Sequence, residues 1–268
     1  MKNIFVRSLS GSVYVSAITA ALILGHWYFF AVCLLLNLVA IVEFRKFGQA
    51  GKKSVYVQLV LSCTGMLAAH FVFLGHIGHQ WLFLSMLLPL TAFSAALYRK
   101  DEGLFSWLFF EIASYVYITL PLVILDYLYI SLYDAYSWAI LLVFVLIWAN
   151  DTFAYLSGVL FGKHKLFERI TPKKTWEGFF GGVIATVLLS WALFRFSGFD
   201  SLALWLLLGA LVSVVSVFGD FTESMFKRAA GLKDSGNLIP GHGGVLDRID
   251  SLLFVFPVVF VFFKLIIF

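Results

Sequence analysis

Charge is scarce in this chain. Asp, Glu, Lys and Arg make up 13% of its 268 residues, against 62% that are hydrophobic. A soluble globular domain, which carries about 25% charged residues, is excluded. Cysteine is rarer still: Cys33 and Cys63 both lie inside apolar runs. They offer no disulfide framework and no thiolate zinc site, and read as small buried hydrophobes. Proline is scarce too, at five residues, and Pro121 and Pro257 are among those within apolar runs. Each lacks an N–H and crowds the preceding turn, so a kink is expected at both. There is no internal repeat, polar linker or low-complexity tract. The first apolar run, after Lys2 and Arg7, has the flanks of a signal peptide but no small-residue cleavage site, and reads as a retained span.

What the chain has instead is apolar sequence long enough to cross a bilayer, many times over. Nine spans are expected: Gly11–Leu24, Trp27–Glu43, Ser54–Gly75, Trp81–Leu97, Leu104–Ile130, Tyr136–Phe161, Trp176–Phe196, Leu202–Gly219 and Ile249–Ile267. The first two make a short hairpin broken at Gly25-His26. The expected fold is therefore all-α, a polytopic integral membrane protein with about nine transmembrane helices. It forms one membrane domain, with residues 1–149 as scaffold and 150–250 carrying the chemistry. Alternate loops collect seventeen of the 19 Lys and Arg residues, leaving only Arg195 and Lys264 on the other side. By the positive-inside rule the N-terminus and the 220–250 loop face the cytoplasm. Aromatic residues, 18% of the chain, cluster at the expected span ends as an interfacial belt.

Against this background, residues 220–250 stand out. The segment packs Asp220, Glu223, Lys227, Arg228, Lys233, Asp234, His242, Asp247, Arg248 and Asp250 between two apolar runs. Acids at membrane depth are costly and are kept mainly where they function. Asp247 and Asp250, three residues apart, share one helix face, and Asp220 closes the preceding span. Carboxylates from two helix ends suit a hard cation, with water and phosphate completing its shell. One acid could be a helix cap; three are harder to explain that way.

Pro240-Gly241-His242-Gly243-Gly244 runs into a helix, and its glycines would let backbone N–H groups approach a phosphate. His242 could polarise a phosphate, orient a carboxylate or only fill the turn. Upstream, Thr171-Pro172-Lys173-Lys174-Thr175-Trp176-Glu177-Gly178 reads as a basic turn opening a helix. Its cations suit a triphosphate, and Gly178, Gly181 and Gly182 suit tight helix packing. Lys163 and Lys165 read as membrane-surface anchors. Asp151, beside Asn150 in an apolar run, is expected to be buried and to need a partner or a metal.

These residues carry a resemblance. Ser224-x-x-Lys227-Arg228-x4-Lys233-Asp234, then Pro240-Gly241-His242-Gly243-Gly244-x-x-Asp247-Arg248-x-Asp250, is similar to the signature of the phosphatidate cytidylyltransferases, or CDP-diacylglycerol synthases. Asp151-Thr152-Phe153-Ala154-Tyr155 and Pro172-Lys173-Lys174-Thr175-x-Glu177-Gly178 resemble the family's other motifs. Thr171 stands where the family often has Ser, and keeps the hydroxyl.

The resemblance implies an enzyme that joins CTP to phosphatidate with Mg²⁺, the need for a second cation being left open. It would place the metal on Asp220, Asp247, Asp250 and Glu223, with Lys227, Arg228 and His242 also in the catalytic set. Substrate contacts would fall to Lys173, Lys174, Thr175, Ser224, Lys233, Gly241, Gly243, Gly244, Arg248 and Asp151. The expected setting is a bacterial inner membrane with the site facing the cytoplasm. The partners would be CTP and membrane lipid, a homodimer being open and no nucleic acid expected. A CTP-dependent polyprenol kinase or CDP-archaeol synthase would share this logic. An ion-coupled transporter would instead place its acids at mid-membrane on paired broken helices.

Overall fold

In hydrocarbon a chain must satisfy its backbone groups internally, which favours helices. The computed structural model describes residues 2–48, 52–78, 80, 110–133, 138–239 and 243–267, with the side chains of 2–9, 52–54 and 267 outside that description. Among the described residues, seven helices are long and apolar enough to cross a membrane: His26–Phe47, Val55–Phe73, Phe110–Leu132, Ala139–Phe161, Trp176–Phe196, Leu202–Ala229 and Leu246–Ile266. A shorter apolar helix, Ser10–Leu24, precedes them. The fold is that of an all-α polytopic membrane protein. The span expected at Trp81–Leu97 lies outside the described residues, as do Gly241 and His242.

The chain divides into two compact units, Met1–Ile130 with Ala229–Arg248, and Ser131–Arg228 with Ile249–Phe268. In the first, α1 (Lys2–Leu24) turns into α2 (His26–Phe44) at Gly25, whose φ of 113° is open to glycine but strained for other residues. After α3 (Lys52–Phe73), the helix Phe110–Leu132 passes through a π turn at Tyr115–Thr119 before its regular part, α4 (Leu120–Leu132). The π turn ends two residues before Pro121. The proline offers no N–H and its ring crowds the carbonyl of Tyr117, so a widened turn relieves the helix there.

Apolar side chains fill this unit, among them Phe29, Phe44, Ile41, Met66, Ile118 and Leu122. Polar pairs are set within the same packing. Arg45 Nη1 donates to Glu111 Oε1 and to Gln58 Oε1, each at 2.6 Å. His70 Nδ1 lies 2.8 Å from Asp126 Oδ2, with both residues almost fully buried. Thr119 Oγ1 donates to Asn37 Oδ1 at 2.9 Å, linking the π turn to α2.

The second unit contains α5 (Ala139–Phe161), a two-stranded antiparallel hairpin of β1 (Lys165–Phe167) and β2 (Thr171–Thr175), then α6 (Trp176–Leu193), α7 (Leu202–Ala229) and α8 (Leu246–Phe262). The last residue of α7 and the first three of α8 are assigned to the first unit. Small residues let α5 and α6 approach closely: a Cβ on Gly178 would stand 2.7 Å from Ala154 O, and one on Gly182 2.8 Å from Asn150 Oδ1. Glycine at 178, 181 and 182 therefore does the packing work expected from the sequence. Trp205 Nε1 donates to Ser190 O at 2.7 Å, and Phe144 meets Phe256 at a ring separation of 5.1 Å. Pro257 lies inside α8.

Candidate active site

The chemistry-bearing part of the second unit is built on α7. The sequence places a span end at Gly219, where charge begins, but the helix continues to Ala229. Hydropathy marks where a segment turns polar, not where its helix stops. Phe221-Thr222-Glu223-Ser224-Met225-Phe226-Lys227 contains no breaker, and the next glycine, Gly231, has a φ of 71° suited to ending a helix. Asp220, Glu223, Ser224 and Lys227 therefore project from one helix at spacings of three and four residues. Ser224 Oγ donates to Asp220 Oδ1 at 3.2 Å, and Lys227 Nζ pairs with Glu223 Oε2 at 2.5 Å in buried surroundings.

Gly219 explains how a third acid reaches this group. A Cβ there would lie 2.5 Å from Asp250 O and 2.8 Å from Ser251 Cα, so α7 and α8 cross with their backbones in contact. Ser251 Oγ adds a hydrogen bond to Ser216 O at 3.2 Å. The crossing brings Asp250 against the turn that carries Asp220. One carboxylate oxygen from each of Asp220, Glu223 and Asp250 lies within 4.8 Å of the others. Two unit negative charges at that separation repel by about 3.5 kcal/mol at an effective dielectric of about 20. Such a group needs cations.

One comes from the hairpin. Lys174 on β2 forms an ion pair with Asp220 Oδ2, and its ammonium stands 5.2 Å from the centroid of the Phe221 ring. Lys173, the residue before it, is exposed, while Lys174 is part-buried. Pro172-Lys173-Lys174-Thr175, expected as a turn, is the end of a strand, and the ion pair to Asp220 distinguishes Lys174 from a neighbour that looks equivalent in sequence. Thr175 is buried and caps α6, accepting from Gly178 N at 3.2 Å. Glu177 accepts from Lys163 N (3.0 Å) and from His164 N, and lies 2.6 Å from His164 Nδ1. It fixes the turn before the hairpin.

Asp151 departs from its expected setting. It is exposed, and the buried neighbour is Asn150, whose Oδ1 accepts from Ser213 Oγ at 2.5 Å. Asp151 still acts on Asp250 as a like charge, as Asp220 does, while Lys174 acts on it as an opposite one. Arg228 is exposed on the last turn of α7.

The remaining described residues of the expected site belong to the first unit. Lys233 and Arg248 are exposed. Gly243 takes a φ of 83°, and Gly244 is buried. Asp247 Oδ2 accepts from Ser235 N (3.0 Å), Ser235 Oγ (2.8 Å) and Gly244 N (2.8 Å). The Gly244 amide, expected to face a phosphate, is committed to the chain's own carboxylate. One residue absent from the sequence reading enters here. Glu43, buried at the end of α2, accepts from Leu246 N at 2.8 Å and Ser235 Oγ at 3.2 Å. A lone acid beside Arg45 and Lys46 reads as a membrane-surface residue, and no local pattern shows that it reaches a segment some two hundred residues away.

Three carboxylates and Lys227 on apolar helices, with Lys174 beside them on the hairpin, form a group in a membrane protein that could hold a cation and face phosphate. The sequence comparisons agree with that class. The model of the cytidylyltransferase family matches residues 5–266, and the chain belongs to that family. The phosphatidate cytidylyltransferase of Haemophilus influenzae is 35% identical over 280 residues, covering 94% of this chain and 95% of the relative. That of Staphylococcus aureus strain COL is 48% identical over 120 residues, 44% of this chain and 46% of its own length. The Staphylococcus saprophyticus enzyme is 49% identical over the same length.

Proposed function

We propose that this protein is a phosphatidate cytidylyltransferase, converting CTP and phosphatidate to CDP-diacylglycerol and diphosphate. The observation that carries the reading is the meeting of Asp220, Glu223 and Asp250 with Lys174 and Lys227. The three carboxylates fit Mg²⁺, a hard cation that takes oxygen ligands and retains waters. When bound, the ion would neutralise phosphate charge and hold phosphate oxygens in place. Asp247 is kept as a further proposed ligand on the sequence pattern alone.

No strong base is required from the chain. A phosphate monoester loses its second proton near pH 6, so the lipid phosphate arrives ionised at neutral pH. Its oxygen forms a bond to the α-phosphorus of CTP as the bond to the β-phosphate oxygen breaks, and diphosphate leaves. The residues' task is placement and charge neutralisation. Lys174 and Lys227 pair with carboxylates in this structure, and with the acids engaged by a cation their ammonium groups can turn to phosphate oxygens. Arg228 would add a third positive charge. Thr175 and Glu177 hold the hairpin that presents Lys174.

The site is proposed to face the cytoplasm of a bacterial inner membrane, where nucleotide and lipid headgroup both have access. A homodimer is proposed on the resemblance. Labelled CTP incubated with the purified protein, with and without Mg²⁺, across phosphatidate, polyprenol and archaeal lipid acceptors tests the reading. Labelled CDP-diacylglycerol formed only with phosphatidate and the cation is expected. Transfer to another acceptor, or none to phosphatidate, would assign a different activity.

A further inference from the structure

The signature segment is anchored by a residue far outside it. Glu43 is 3% exposed at the end of α2 and accepts the amide of Leu246, the first residue of α8, at 2.8 Å. Its Oε2 also meets Ser235 Oγ at 3.2 Å, and the same hydroxyl and the Ser235 amide meet Asp247 Oδ2 at 2.8 and 3.0 Å. Two carboxylates, one at the end of an early helix and one in the signature, thus close on Ser235, itself 1% exposed. The surrounding glycines are fitted to this arrangement. A side chain on Gly236 or Gly244 would collide with the Glu43 carboxylate, and a Cβ on Gly243 would lie 2.7 Å from Asp247 Oδ2.

The N-terminus of a helix leaves amide hydrogens unpaired and attracts negative charge. Glu43 supplies both the acceptor and the charge to α8 from a distant part of the chain. We infer that Glu43, through Ser235, is a positioning residue: it fixes the start of α8 and the orientation of Asp247, and touches no substrate. α8 carries Asp250 one turn further on, so the clamp sets the helix on which a proposed cation ligand is mounted. The inference rests on the proposed function for its kinetic consequence, but not for its structural one.

Hydrogen–deuterium exchange and kinetics on the full-length protein in one detergent test it, using Glu43→Ala, Glu43→Gln and Ser235→Ala. Glutamine keeps an acceptor for the Leu246 amide; alanine does not. Expected are faster exchange across residues 243–248 in Glu43→Ala, and a roughly 10- to 100-fold fall in kcat, the usual cost of losing a supporting contact to a site ligand. KM for CTP should change far less, and Glu43→Gln should recover most of both effects. Ser235→Ala, which leaves the Leu246 bond in place, should raise exchange at residues 243–248 by a smaller amount. Unchanged exchange in Glu43→Ala and Ser235→Ala would overturn the clamp. A glutamine variant as inactive as alanine, with normal exchange, would also overturn it, because the carboxylate would then act directly on substrate or metal. A wild-type protein without transferase activity would sink the proposed function, while the exchange comparison would still decide the clamp.

Discussion

Substituting Gly219 by alanine adds one methyl group at the crossing on which the acidic cluster depends. The new Cβ would lie 2.5 Å from Asp250 O, whereas ordinary contact begins near 3.4 Å, so α7 and α8 must part by about 0.9 Å. The obstructing atoms are backbone, which cannot swing aside as a flexible side chain would. Overpacking of this kind costs typically about 1–3 kcal/mol, enough to lower the unfolding temperature without preventing folding. Catalysis should suffer more. A displacement near 1 Å between groups that must cooperate can cost about 100-fold in rate. Asp220 and Asp250 sit on opposite sides of this crossing, so the displacement falls directly between them. The assay is CDP-lipid formation from labelled CTP in one detergent, beside a thermal unfolding curve for the same sample. Gly158→Ala is the control, since its Cβ would meet Thr175 Oγ1 at 3.3 Å and Gly178 Cα at 3.7 Å, a milder intrusion. A folded Gly219→Ala protein with wild-type kcat would refute the reasoning that this contact sets the site.

Further outcomes follow from the hairpin and from the first unit. Lys174→Ala should reduce kcat/KM by about 100-fold, the scale on which charged groups stabilise a transferring phosphoryl group, while Lys173→Ala at an exposed position should cost much less; equal losses would contradict the choice of Lys174 as the lysine of the site. Replacing Asp126 by Ala leaves His70 buried without its 2.8 Å partner, and breaking a buried pair costs about 3–5 kcal/mol. Thermal unfolding should show a large drop for Asp126→Ala and a smaller one for the His70→Ala, Asp126→Ala double variant, whose coupling a double-mutant cycle measures.

Much of this architecture was legible from sequence because bilayer chemistry leaves few choices. Apolar runs marked the described spans, and the Gly178-Gly181-Gly182 pattern marked where α6 meets α5. Asp220 and Asp250 stood out as acids beside apolar sequence, and the structure brings them together with Glu223. The misses have physical causes. The hairpin at 165–175 is too short and too charged to leave a hydrophobic alternation, so the divergence of Lys173 from Lys174 was hidden. Asp151 sits in an apolar run, but its position on α5 is exposed while Asn150 faces Ser213. α7 outruns its apolar stretch by nearly three turns because its polar end is still good helix sequence. Glu43 could not be seen, since its hydrogen bonds exist only once Ser235 and Leu246 lie against the end of α2.

The central claim is that Asp220, Glu223 and Asp250 together hold a divalent cation. Electron paramagnetic resonance of Mn²⁺, titrated into the purified protein in the presence of CTP, measures that directly. Saturable binding in the wild type, lost in a folded Asp220→Asn, Asp250→Asn double variant together with transferase activity, is the predicted result. Equal binding in both proteins would contradict the account.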